Sequence, residues 1–220
     1  QLYRVGYFPA TECEMELDYA IKHALIGSYK SAFADLRRAL ELILTSVYLT
    51  SEQTNRKQAI EWLRSNSDTP FFSEMLKKLN KCCRFDEINK ALDWVKNLKQ
   101  VYWAISDYSH NKGQQKGYRE LNKTNACISG TFVPRTNFET LKVFCDYYIQ
   151  TVGEIVIMLA LYNPVILVGL PIDEKFGLEG PFSGFYYEGQ AEMVHSLIPD
   201  KYKAYFKNMA DNDEEIKSVI

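Results

Sequence analysis

The sequence predicts an all-α fold, a bundle of four to five helices with an irregular and helical C-terminal appendage. Three observations predict it. Apolar residues recur at steps of three, four and seven over most of the chain, the spacing that lays a stripe along one helix face. Clusters of Gly, Pro, Asn and Ser that stop helices fall between the periodic runs. Only residues 128–133, Ile-Ser-Gly-Thr-Phe-Val, have the character of a strand. The expected division is a bundle over residues 1–163 and an appendage packed on it over residues 164–220.

The strongest period runs over residues 15–49, where Leu17, Ile21, Leu25, Tyr29, Leu36, Leu40, Ile43 and Val47 form the stripe. Gly27-Ser28 is placed to bend or divide this helix, because glycine lowers helix stability and serine competes for backbone hydrogen bonds. A short polar helix over residues 52–64 follows, then a loop at Ser65-Asn66-Ser67-Asp68-Thr69-Pro70. The next helix covers residues 71–81, with Phe72, Met75, Leu76 and Leu79 as its buried edge. Asp86 is the expected N-cap of a helix running to His110, striped by Ile88, Leu92, Val95, Leu98, Tyr102 and Ile105 and stopped by Gly113. A central helix covers residues 137–162. Beyond Pro164 the chain reads as an ordered, irregular loop rich in Gly, Pro and aromatics. A final amphipathic helix or pair over residues 190–209 and a charged tail complete it.

Composition narrows the class of protein. Of 220 residues, 46% are apolar and 25% charged, an ordinary globular balance. A formal charge of −2 gives no broad field for nucleic acid, though a local basic patch remains open. The first residue is Gln1, and residues 2–8 lack a signal-peptide pattern, which reads as a processed or excised chain. The longest apolar stretch, residues 155–170, is broken by Asn163-Pro164 and is short of the ~20 residues needed to cross a bilayer, so no membrane span is expected. Cys13, Cys82, Cys83, Cys127 and Cys145 are odd in number and include no Cys-x-x-Cys, so reduced thiols in the cytoplasm are expected, with no metal and no cofactor.

Two positions draw attention as sites. In Leu36-Arg37-Arg38-Ala39-Leu40-Glu41, Arg37 lies on the flank of the buried stripe and Arg38 points nearly opposite, with Glu41 within helical ion-pair reach of both. In Ser106-Asp107-Tyr108-Ser109-His110-Asn111-Lys112-Gly113, His110 falls on the side of Trp103, seven residues earlier, which places it at the edge of the buried face. Tyr102, Trp103 and Tyr147-Tyr148 are the residues that would line a small-molecule pocket if they converged. The aromatic run containing Phe182, Phe185 and Tyr186 is a candidate contact surface, since Tyr and Phe are enriched in interface cores. His23 lies beside the first stripe, and His195 has no ligand-spaced companion. Phosphate-loop, dinucleotide, nucleophile-elbow and zincin motifs are absent from the sequence.

A helix reading Leu-Arg-Arg-Ala-Leu-Glu, followed by one ending Ser-Asp-Tyr-x-His-x-x-Gly, resembles the HEPN superfamily over about residues 17–113. The resemblance implies a helical bundle, often a homodimer through the motif helices. Many members are metal-independent RNases of toxin–antitoxin, CRISPR-linked and phage-defence systems, and others are interaction domains. In active members an Arg and the motif His are separated by four to six residues. Here positions five, six and seven before His110 are Ile105, Ala104 and Trp103, none of which can hold a phosphate as a guanidinium does. The first expectation is therefore a non-catalytic interaction or dimerisation domain that pairs with itself or with other domains of a larger bacterial protein. The alternative is a divergent RNase acting on RNA through His110, with Arg37, Arg38 or Lys112 as the cation and Asn111 as a polar neighbour.

Overall fold

The computed structural model describes residues 2–109, 136–168 and 188–219. Among these the secondary structure is helical throughout, as the sequence predicts. The chain divides into two compact units, Gln1–Thr151 and Val152–Ile220, with the division falling inside one long helix. The expected strand at residues 128–133 and the irregular stretch after Gly169 lie outside the described residues.

The first unit is built on a hairpin of two long helices, α1 (Leu2–Leu25) and α2 (Tyr29–Thr50). The divider is Gly27, whose φ of 79° is a left-handed conformation that glycine adopts without a Cβ clash. Its N–H bonds Ala24 O at 3.0 Å and that of Ser28 bonds His23 O at 2.8 Å, closing the C-terminus of α1. On α2 the predicted stripe is correct: Leu36, Leu40, Ile43 and Val47 are all buried.

On α1 the stripe is different from the one expected. Ile21 and Leu25 are exposed, and the buried line is Val5, Cys13, Ala20 and Ala24, with Gly6. Small residues carry this period, so a pattern read from large apolar side chains misses it, along with the first three turns of the helix. They let the two backbones approach closely. A Cβ on Gly6 would stand 2.6 Å from Thr50 Cγ2, and Ser46 donates to Gly6 O at 2.7 Å.

Three shorter helices follow: α3 (Arg56–Leu63), α4 (Phe72–Leu79) and α5 (Cys83–Leu92). A capping box starts α3, in which Asn55 Oδ1 accepts from Gln58 N at 2.9 Å and Asn55 N donates to Gln58 Oε1. The expected buried edge of α4, Phe72, Met75, Leu76 and Leu79, is the observed one. The single helix expected from Asp86 to His110 is in fact two, α5 and α6 (Trp94–Ser109). Asp86 lies in the first turn of α5, where a carboxylate suits the helix dipole, and Cys82 holds the cap position.

The break falls at Asp93, with φ 52° and ψ 38°. Asp tolerates the left-handed region, and neighbouring amides satisfy the freed groups: Val95 N donates to Asn89 Oδ1, and Asn97 Nδ2 to Leu92 O, both at 3.0 Å. The turn lets Trp94 bury fully against Phe85, ring centroids 5.5 Å apart. The last long helix, α7 (Phe138–Tyr162), starts at the hairpin turn. There Asn137 N donates to Tyr29 Oη, Tyr29 Oη to Asn137 O, and Thr136 Oγ1 to Leu25 O at 2.7 Å.

The α7 helix is long and apolar enough to cross a membrane, with mean hydropathy 1.4 over its best window, so the shorter apolar stretch weighed from the sequence understated it. Half of that window is buried in the structure, as in the core helix of a folded domain.

In the second unit a 3-10 turn (Pro164–Leu167) packs against α8 (Glu188–Leu197), α9 (Asp200–Asn212) and α10 (Glu214–Val219). Its core includes Ile157, Met158, Leu167, Tyr202 and Phe206. His195 makes an ordinary structural bond, from Nε2 to Leu167 O at 2.8 Å. The supposed charged tail is a helix junction. Asp213 Oδ1 accepts from Glu215 N at 3.0 Å, and Ile216 is buried one turn on.

Candidate functional site

The two motif helices named by sequence lie side by side, α2 against α6, and each of the contacts below pairs one motif residue with a residue outside the other motif. Phe33 stacks on Tyr108 with centroids 4.3 Å apart and an 18° interplanar angle, and meets Phe144 and Tyr147 of α7 edge-on. One helical turn along α2, Arg37 reaches Tyr102. Its Nε donates to Glu41 Oε1 at 3.0 Å and to Tyr102 Oη at 3.2 Å, while Tyr102 Oη donates to the same Glu41 oxygen at 2.6 Å. The Tyr102 ring stacks on that of Phe72, centroids 3.9 Å apart with an angle of 9°.

This arrangement ties down both hydrogen-bonding partners. Burial works to lower the Arg37 pKa, and the Glu41 carboxylate with Tyr102 more than offsets it, so the guanidinium stays charged. Burial first, then the Glu41 hydrogen bond, pushes Tyr102 up from 10.0 to about 12. The fold favours the neutral phenol, so this contribution to stability is complete below pH 10 and is lost as pH rises through about 12. Tyr102→Phe should therefore flatten the fall in the urea midpoint across that window. An unchanged fall would show that Tyr102 does not titrate against Glu41.

Arg38 turns to the other side, toward α1. It pairs with the buried carboxylate of Asp35 and, at 2.9 Å, with Glu16. The second Asp35 oxygen, Oδ2, accepts from His23 Nδ1 at 2.5 Å. Asp35 is thus a buried anion with a different cation or N–H on each oxygen, and it pins α1 to α2. The sequence reading passed over His23 and Asp35 as a pair. They stand twelve apart, and only the Gly27 turn folds them together, so that turn was the signal that could have found them. A carboxylate-oriented imidazole is a possible acid–base pair. Two carboxylates against one arginine, however, leave the cluster negative when His23 is neutral, which disfavours a phosphodiester substrate.

Trp103 is 55% exposed. The reading of His110 as edge-buried used Trp103 as its marker, and that premise is corrected: Trp103 is on the outer face of α6, because the stripe there runs through Leu98, Tyr102 and Ile105. It stands on an open groove of about 800 Å³ whose charges, Lys96 and Lys99 against Asp93 and Asp107, balance. Tyr102 stacks on Phe72 and meets Trp103 edge-on, whereas Tyr147 and Tyr148 belong to the ring cluster around Phe33 and Phe144, so the residues expected to share one pocket form two separate packings. His110, Asn111, Lys112, Phe182, Phe185 and Tyr186 lie outside the described residues.

Among the described residues no group of three or more His, Cys, Asp or Glu is arranged to hold a metal ion. Cys13, Cys82, Cys83 and Cys145 are free thiols; burial first, then Glu16, pushes Cys13 up to about 12, so it stays protonated and unreactive while folded. Comparison with protein-family models, with curated proteins and with solved structures finds no match to this chain.

Proposed function

We propose that this chain is a HEPN-like helical interaction and dimerisation domain of a larger bacterial protein, without nuclease activity of its own. A setting in phage defence or a toxin–antitoxin system follows from the same resemblance. The observation that carries the reading is the engagement of both motif arginines. Arg37 is committed to Glu41 and Tyr102, and Arg38 to Asp35 and Glu16. A guanidinium already bonded to carboxylates is poorly placed to stabilise the charge that develops on a phosphate. The exposed Trp103 at a position where an active member would carry arginine agrees with this, and aromatic side chains of this kind are common interface anchors.

The test is incubation of the purified chain with total RNA, with and without a chelator, beside His110→Ala. The wild type should leave RNA as intact as the variant does. Chelator-resistant cleavage that disappears in His110→Ala would replace this reading with the divergent RNase.

A further inference from the structure

Seven of the sixteen large hydrophobic residues exposed among the described residues lie on α1 or at its end. Four of them, Phe8 (52% exposed), Met15 (42%), Tyr19 (42%) and Ile26 (61%), fall in one line, because steps of seven, four and seven nearly complete whole helical turns. Ile26 keeps the helical register, its N–H bonding Lys22 O at 3.3 Å. Glu12 and Lys22 fill the gaps in the line, so the positions 8, 12, 15, 19, 22 and 26 alternate steps of four and three. That is the 3.5-residue repeat of a two-helix seam.

From this face we infer that α1 pairs antiparallel with α1 of a second copy of the chain, an inference that rests on the interaction-domain reading above. The occupant is identified by charge and shape together. Laid antiparallel about the level of Leu17, the seam sets Phe8 opposite Ile26, Met15 opposite Tyr19 and Glu12 opposite Lys22 of the second copy. One midpoint serves all three pairs, as a two-fold interface requires. Apolar layers meet apolar layers and each carboxylate meets an ammonium, twice over. A parallel pairing would set Glu12 on Glu12 and Lys22 on Lys22, and like charges at a seam are disfavoured. The seam is turned about a third of a turn from the small-residue face packed against α2, so pairing leaves the hairpin intact, and at one end Phe8 also meets Trp62 of α3 with ring centroids 6.5 Å apart.

Sedimentation equilibrium of the full chain reads this directly, with circular dichroism as the control that these substitutions leave the helices folded. The wild type should dimerise. Glu12→Lys and Lys22→Glu should each raise the dissociation constant about tenfold or more, since each places two like-charged layers in the dimer. The double variant Glu12→Lys/Lys22→Glu should return to within about threefold of wild type, because the two charges have only exchanged sides.

A wild type that stays monomeric overturns the inference. So does a dimer indifferent to both single variants, which would leave self-association standing through another surface. Binding of the chain to phosphatidylcholine–phosphatidylserine vesicles that Met15→Glu abolishes would assign the face to lipid and overturn it as well. Cleavage of RNA by the wild type would refute the interaction-domain reading without touching the seam, so the two failures are distinguishable.

Discussion

Phe33→Ala should cost the first unit about 3–5 kcal/mol, the range for removing a fully buried aromatic side chain. Phe33 has no exposed surface, and its ring is shared by three helices: stacked on Tyr108 of α6 and edge-on to Phe144 and Tyr147 of α7. Truncation leaves a cavity that three helices would have to close together, and close packing resists that collapse. Set against a total stability of about 5–15 kcal/mol for a typical domain, the loss is large. Phe33→Leu, which keeps most of the volume, should cost less than half as much. Urea unfolding followed by circular dichroism measures both. A loss below about 1 kcal/mol for Phe33→Ala would mean that the ring cluster does not join these helices.

The second large effect is expected at Asp35. Removing one partner of a buried pair costs about 3–5 kcal/mol when the remaining charge is stranded in the interior. Here the buried member is Asp35 itself, while His23 and Arg38 are partly exposed and can turn to water. Asp35→Ala should therefore cost somewhat less, about 2–3 kcal/mol, from the lost carboxylate bonds and the unfilled site between α1 and α2. Arg38→Ala leaves the buried Asp35 Oδ1 without its cation and should cost at least as much, and in the double variant the two losses should fall short of additivity, since both remove the same bond. Strict additivity would show that the Asp35–Arg38 contact carries no coupling.

How far the fold was legible depended on which side chains carried the period. The faces of α2 and α4 are marked by Leu, Ile, Phe and Met, and the observed core is the one those residues indicate. The buried face of α1 is marked by Gly6, Cys13, Ala20 and Ala24, chosen for closeness of approach and nearly silent as a hydrophobic pattern. The division at Asp93 was hidden because Ile88, Leu92, Val95 and Leu98 keep steps of four and three across a single left-handed residue.

The candidate site shows the same contrast. The Arg37–Glu41 pair follows from a spacing of four on one helix and was readable. The Tyr102 bond to Glu41 and the His23–Asp35 pair join residues on different helices, and no local spacing encodes them.

The claim that this chain acts by association with its own kind is tested most directly by its mass in solution. Light scattering across a range of concentrations should show the 25.5 kDa chain giving way to a species of twice that mass, with RNA left intact in the same samples. A 25.5 kDa monomer at every concentration, cleaving RNA without metal, would contradict it.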